Sequence, residues 1–232
     1  MSARLGELAW TDLRHAARPL LAVPIGSCEQ HGPHLPLDTD TRVALTLADA
    51  LVQSFEPGEV MVAPPLTISA SGEHAGFPGT LSLGTSAVET VLVELVRSAD
   101  WSAGVVLVNG HGGNVEAVRR AVSTLTREGR RVLAWWPHVT GSDAHAGHTE
   151  TSLMLAIAPE LVHLDRAEIG RVEHVTDLID ELRAIGVRGV SPNGVLGDPR
   201  GASAAHGRSL IARLTIDLVA AVDEWRSGPA ST

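Results

Sequence analysis

Three short stretches of this chain carry the residue types that hold metal ions. The first is Glu29-Gln30-His31-Gly32-Pro33-His34-Leu35-Pro36-Leu37-Asp38-Thr39-Asp40. It follows the apolar run Leu20-Leu21-Ala22-Val23-Pro24-Ile25-Gly26, which reads as a buried strand ending in a turn. Side chains two apart on an extended segment point the same way, so Glu29 and His31 face one spot together. After a Gly/Pro-rich loop, Asp40 can return a second carboxylate to that spot. One imidazole with two carboxylates suits a divalent transition metal such as zinc, iron(II) or manganese. A lone Glu-x-His at a strand end is more often a solvated pair. Two further Gly-rich clusters shift the balance: Asn109-Gly110-His111-Gly112-Gly113-Asn114, and His145-Ala146-Gly147-His148-Thr149-Glu150-Thr151-Ser152. Together the three predict a metal-dependent enzyme.

The elements that position these clusters follow from periodicity. Strands are predicted over Leu20–Ser27, Val60–Ile68, Gly104–Asn109 and Arg131–Trp136. Helices are predicted over Thr41–Phe55, Ser86–Trp101, Asn114–Glu128, from Glu150 to Ala158, and from about Ala204 to Trp225. The Asn114–Glu128 stripe of Val115, Val118, Val122 and Leu125 ends at Gly129, a natural C-terminal stop. Pro64-Pro65 marks the second strand as a sheet edge or strand end. Gly186–Ser203 reads as an ordered Gly/Pro-rich loop. This alternation predicts a single-domain α/β sandwich over residues 1–232 with a mostly parallel central sheet. Ligand sites in such sheets lie beyond the carboxyl ends of the strands, where Glu29 and His111 fall, with His145 a few residues past the fourth strand.

Composition narrows the chemistry. The 232 residues suit one domain with a sizeable core. No apolar run is long enough to cross a bilayer, so no membrane partner is expected. A net charge of −9 without a basic block argues against nucleic acid. The single cysteine, Cys28, excludes an intrachain disulfide and fits a reducing compartment. Met1-Ser2-Ala3-Arg4 leads into mixed polar sequence rather than a signal-peptide core, which points to the cytoplasm. All 18 basic residues are arginine and tyrosine is absent. A P-loop lysine, a Schiff-base lysine and a phenolic acid are therefore excluded. No Gly-x-Ser-x-Gly elbow occurs, which disfavours a serine hydrolase.

The three clusters resemble those of the creatininase family of metal-dependent amidohydrolases, as do Ser71-Gly72-Glu73-His74 and Phe77-Pro78-Gly79-Thr80. The likeness runs from about residue 20 to 210. Within the family, His145 to Ser152 and Gly194-Val195-Leu196-Gly197-Asp198-Pro199 look most like the peptidase branch of mycofactocin biosynthesis. The resemblance implies two divalent ions per chain, with Asp40 bridging them, Glu29 and His111 on one ion, and His31 on the other. Creatininase itself takes another carboxylate two residues after the histidine matching His111. Here that position is Gly113, and the family pattern implies Glu150 in its place. The resemblance also implies a closed homo-oligomer.

Two ions roughly 3.5–4 Å apart can share and acidify a water while polarising an amide carbonyl. The departing nitrogen then needs a proton. The resemblance places His145 beside the metals, and imidazole titrates near neutrality, which makes His145 the candidate for that transfer. His148 could share the task or position substrate, and Glu73 and His74 are candidates for substrate binding, for carrying protons or for support of the ligands. Cys28 should point away from the Glu29/His31 face as a buried packing thiol. His34 and Asp38 hold the loop; His15, His138, His163, His174 and His206 lack ligand-like neighbours. The expected substrate is a modified precursor peptide, cut to release a cross-linked C-terminal Val-Tyr-derived dipeptide. The competing readings are a small-molecule amidohydrolase acting on a cyclic amide or formamide, and a metal-binding scaffold without turnover.

Overall fold

The computed structural model describes residues 3–14 and 17–228, so His15 lies outside the described residues. Four parallel strands, β1 (Leu20–Ile25), β2 (Val60–Val62), β3 (Gly104–Asn109) and β4 (Val132–Trp135), form one sheet in the order β2-β1-β3-β4. The helices are α1 (Trp10–Leu13), α2 (Thr39–Gln53), α3 (Thr85–Ser98), α4 (Val115–Arg127), α5 (His148–Ile157), α6 (Val175–Val190) and α7 (Ala204–Ser227). None is long and apolar enough to cross a membrane.

Both faces of the sheet are covered, which is why its strands read as continuous apolar runs rather than alternating ones. Alternate side chains enter opposite layers. Leu21, Val23 and Ile25 of β1 and Leu107 of β3 meet Val88 and Leu92 of α3 and Val118 and Leu125 of α4. Leu20, Ala22, Val106 and Val108 meet Leu47 and Leu51 of α2, Leu153 of α5 and Leu214 of α7. Each fully buried Leu or Val of this kind contributes about 1.5–3 kcal/mol of transfer free energy. The expected α/β sandwich with a parallel sheet is therefore present.

The central pair sets the geometry of everything beyond it. β1 pairs with β3 from Leu20 opposite Gly104 to Ile25 opposite Asn109. The two chains leave the sheet side by side, delivering Glu29 and His111 to the same edge. The second predicted strand is shorter than expected. Pro64 and Pro65 remove two N–H donors, and beyond them pairing continues only as a bridge between Ile25 and Leu66. α6 is not among the helices predicted from the sequence; the chain does break at Gly186, where the loop expected over residues 186–203 begins, but a short helical segment follows to Val190. Gly186, at φ 69° and ψ 173°, is non-helical and divides α6 into two helical segments across a kink, and Val187 and Val190 of the second are buried beside Leu178 and Leu196.

α5 and α7 approach closely at Gly207, where an added Cβ would lie 1.8 Å from the carbonyl oxygen of Ser152. Gly207→Ala should force these helices apart and cost roughly 1–3 kcal/mol, the usual range for overpacking. Equilibrium denaturation measures it; an unchanged midpoint would show that the contact relaxes without cost.

Candidate functional site

The site assembles from elements far apart in sequence. Glu29 and His31 follow β1, Asp40 sits in the first turn of α2, His111 follows β3, and Glu150 lies in the first turn of α5. Glu73 and His74 come from a short 3₁₀ turn, Gly72–His74. Gly113 lets these parts meet, since a Cβ there would stand 2.1 Å from Glu73 Oε1 and 2.4 Å from His111 Nε2. A side chain at 113 and the present place of Glu73 exclude each other.

Asp40 is the central group. Its Oδ1 lies 3.1 Å from His31 Nε2 and its Oδ2 lies 3.0 Å from His111 Nδ1. Ser27 Oγ also donates to Oδ2 at 2.8 Å. Glu150 Oε2 stands 3.9 Å from His31 Nε2, on the Oδ1 side of Asp40. Glu29 stands on the other side, with Oε2 3.2 Å from His111 Nε2 and Oε1 3.2 Å from His74 Nε2. Glu73 Oε1 lies 3.5 Å from His111 Nε2. The five residues predicted as ligands are thus brought together around one aspartate whose two oxygens face opposite ways.

The electrostatics of this cluster favour a cation. Glu29 is fully buried, and neither of its carboxylate oxygens makes a well-aligned hydrogen bond among the described residues. Burial pushes its carboxyl up to about 8 and that of Glu150 up to about 7. Burial works against charge on His31 and His111, yet the facing carboxylates, Asp40 first for His31 and Glu29 first for His111, raise both to about 10. Protons on these rings therefore stand where a divalent ion would neutralise the same carboxylates. His31 donates Nδ1–H to the Glu29 carbonyl oxygen at 3.0 Å, leaving Nε2 to face Asp40 and Glu150. A backbone carbonyl that fixes one ring nitrogen while the other faces the ion is the usual support of a ligating histidine. The residues fit a metal.

His145 is buried beside this group, its ring 4.4 Å from that of His31. Its Nε2–H donates to the Gln30 carbonyl oxygen at 2.8 Å. The Nδ1 lone pair then faces Glu29 Oε1 at 3.9 Å and Glu150 Oε2 at 4.0 Å. Burial, and then the neighbouring imidazoles of His31 and His74, hold this imidazole well below its usual range, so it rests neutral. His74 is likewise depressed to about 3, by burial and then by His31 and His111.

Two supporting residues escaped the sequence reading. Gln30 lies inside the first motif, yet its buried amide joins three loops. Its Nε2 approaches His74 Nδ1 at 2.9 Å and the Gly194 carbonyl oxygen at 3.0 Å, while its Oε1 accepts from Gly32 N at 2.8 Å. Asp143 accepts from the backbone N–H groups of His148 and Thr149, capping the start of α5. Its position two residues before His145 was the available signal. Ala146 adopts φ 52°, uncommon for a residue with a Cβ, and its N–H reaches Glu150 Oε2 at 2.6 Å.

Other predicted residues stand apart. His148 lies outside the cluster, its ring 5.1 Å from that of His206. His34 is buried against Thr151 Oγ1 at 2.9 Å, and Asp38 pairs with Arg42 at 2.8 Å. His138, His163, His174 and His206 are exposed. Cys28 is half-buried rather than buried, with Sγ 3.6 Å from the Gly79 carbonyl oxygen, because its loop lies near the surface beside Leu81.

The cluster opens into a cavity of about 370 Å³ lined by Glu29, Asp40, Glu73, His74, His111 and His145 on one side and by α6 on the other. Comparison with known proteins agrees with this architecture. The chain matches the creatininase (creatinine amidohydrolase) family model over residues 6–222. It is 48% identical over 217 residues to a mycofactocin precursor peptide peptidase of Mycolicibacterium smegmatis, covering 91% of this chain and 87% of that one. It is 33% identical over 200 residues to a creatinine amidohydrolase of Pseudomonas putida, covering 71% and 75%. A solved mutant creatininase of Zn-Zn type superimposes with a TM-score of 0.78 at 23% identity, over 97% of this chain and 98% of the other. The match runs through every strand and loop that carries the cluster, and the chain belongs to the creatininase family of metal-dependent amidohydrolases.

Proposed function

We propose that this chain is a metal-dependent peptidase that hydrolyses one amide bond of the modified mycofactocin precursor peptide. The product is its cross-linked C-terminal Val-Tyr-derived dipeptide. The observation that carries the reading is the 48% identity to a protein of that name, against 33% to a creatinine amidohydrolase. The site's geometry supports amide hydrolysis as the shared chemistry. Two divalent ions, zinc, iron(II) or manganese, are proposed, with Asp40 between them, Glu29 and His111 toward one, and His31 and Glu150 toward the other. A closed homo-oligomer in the cytoplasm is the proposed setting.

Bound there, such ions would polarise the amide carbonyl and acidify a water. The protein's own groups handle the proton. His145 rests neutral with its Nδ1 lone pair toward the carboxylates, so it can accept a proton there. It can then deliver that proton to the nitrogen released when the C–N bond breaks. Its Nε2–H bond to the Gln30 carbonyl oxygen holds the ring in place during both transfers. Glu73 and His74 wall the same cavity and are proposed to position the substrate, while His148 could act only from the neighbouring cavity beyond Asp143.

The metal-loaded protein should release the cross-linked dipeptide from modified precursor peptide and cut unmodified peptide poorly, as mass spectrometry of the products would show. Faster turnover of creatinine or a formamide would move the chain to the small-molecule reading.

His145→Ala should lower kcat by about 10²–10⁴-fold, the usual contribution of a positioned acid or base, with metal content retained. Normal turnover, or loss of a metal, contradicts the assignment.

Metal uptake should release protons, because His31 and His111 hold theirs up to about 10 in the metal-free protein and must lose them to become ligands. Apparent affinity should therefore rise as pH rises from 6 to 8. Calorimetry of Zn²⁺ binding in buffers of different ionisation enthalpy reads the proton count. Asp40→Asn should weaken both ions and Glu150→Gln one of them. A pH-independent affinity, or two tightly held ions in Asp40→Asn, would defeat the ligand assignment.

A further inference from the structure

The wall opposite the carboxylates is chemically unlike them. Along α6, Val175, Ile179 and Leu182 recur at a spacing that places them on one helix face, and all three line the 370 Å³ cavity. Val175 and Ile179 remain 37% and 39% exposed, although the adjacent Leu178 is buried together with Val187 and Val190 of the segment beyond Gly186. The stripe thus has apolar surface that no segment among the described residues covers. It faces the same space as Glu29, His111 and His145.

This wall is held at a defined distance from the reactive groups. Gly186 lets α6 pass against the turn carrying Glu73 and His74, where an added Cβ would lie 3.1 Å from the Glu73 carbonyl oxygen. Arg188 donates to the Gly76 carbonyl oxygen, and its guanidinium lies 5.7 Å from the Phe77 ring centroid. Leu196 backs the cavity from the loop that pairs with His145.

We propose that Val175, Ile179 and Leu182 form the subsite for the apolar side chains of the fragment that leaves when the amide is cut. The inference rests on the peptidase reading and names which part of the substrate lies where. A cavity of about 370 Å³ is at the small-ligand end of the pocket range, which suits a short fragment rather than a long chain. The body of the peptide takes the other direction. There, beyond Asp143 and Ala144, a second cavity of about 610 Å³ adjoins the first through Ala144, Val175 and Leu196. The carboxylate floor gives the reaction; the α6 stripe sets which fragment is aligned for it.

The test compares metal-loaded wild type, Ile179→Asp and Ile179→Leu with modified precursor peptide, reading KM, kcat, metal content and molar mass. The free cross-linked dipeptide serves as a calorimetric probe of the same subsite. Ile179→Asp should raise KM roughly tenfold or more, the scale at which apolar pockets discriminate. It should weaken dipeptide binding by a similar factor, with metal content and molar mass unchanged. Ile179→Leu should restore both. Unchanged KM and unchanged dipeptide affinity in Ile179→Asp overturn the proposal, as does a change in molar mass without a change in KM, which would make the stripe a subunit contact. Should the wild type fail to cut the peptide, the peptidase reading falls by itself. The dipeptide titration then still decides the subsite: weaker binding to Ile179→Asp supports it, and equal binding sinks it.

Discussion

The structure is organised around the burial of carboxylates that water would otherwise solvate. Glu29 and Asp40 are 0% and 3% exposed, and removing an ionised carboxylate from water costs several kcal/mol unless something compensates it. Asp40 is compensated by two imidazoles and a hydroxyl. Glu29 makes no well-aligned hydrogen bond among the described residues and has only ring nitrogens at 3.2 Å. A divalent ion resolves this imbalance with one species, whereas protons on His31 and His111 resolve it only partly. The same crowding that raises those two rings leaves His145 and His74 neutral, because a further cation would meet the first two. The histidines proposed as ligands and the one proposed to carry the proton are thus separated by environment.

Such a cluster can be held only by a scaffold that does not yield. The sheet supplies it. β1 and β3 run in parallel with both faces buried, so the points where they release Glu29 and His111 are fixed by two apolar layers. The loops beyond are tied to one another rather than to solvent. Gln30 reaches residues 44, 115 and 164 positions away along the chain, and Asp143 anchors the start of the helix that brings Glu150. Where backbones or side chains must come closer than a Cβ allows, the chain has Gly113 or Gly207. Packing and catalysis meet at these positions.

The division between floor and wall accounts for how one fold serves different amides. The floor of carboxylates and imidazoles is proposed to supply a reaction that needs only a carbonyl and a nitrogen. The wall comes from α6, an element outside the three metal-ligand clusters. Changing its side chains alters what is aligned over the floor without altering the ligands. That separation agrees with a chain related at different distances to a peptide hydrolase and to an enzyme named for a small cyclic amide.

The sequence alone determined the parallel α/β sandwich, because its strands and helices carry distinct periods and the short loops leave few ways to connect them. It also marked the three clusters holding Glu29, His31, Asp40, His111 and Glu150 as a candidate metal site, while the assignment of those five as ligands came from the family resemblance. Tertiary structure decided what depends on through-space proximity. That Glu73 fills the space above Gly113, that Gln30 joins three loops, and that His148 faces His206 rather than the cluster have no local signature, because partners separated by up to 164 residues leave no period to read. The helix α6 was not predicted from the sequence at all. Gly186 reads as a loop residue in sequence and does break the helix, and a second short helical segment follows it, with Val187 and Val190 buried beside Leu196. Periodicity records which face of an element is buried; what lies against that face is set by the folded chain.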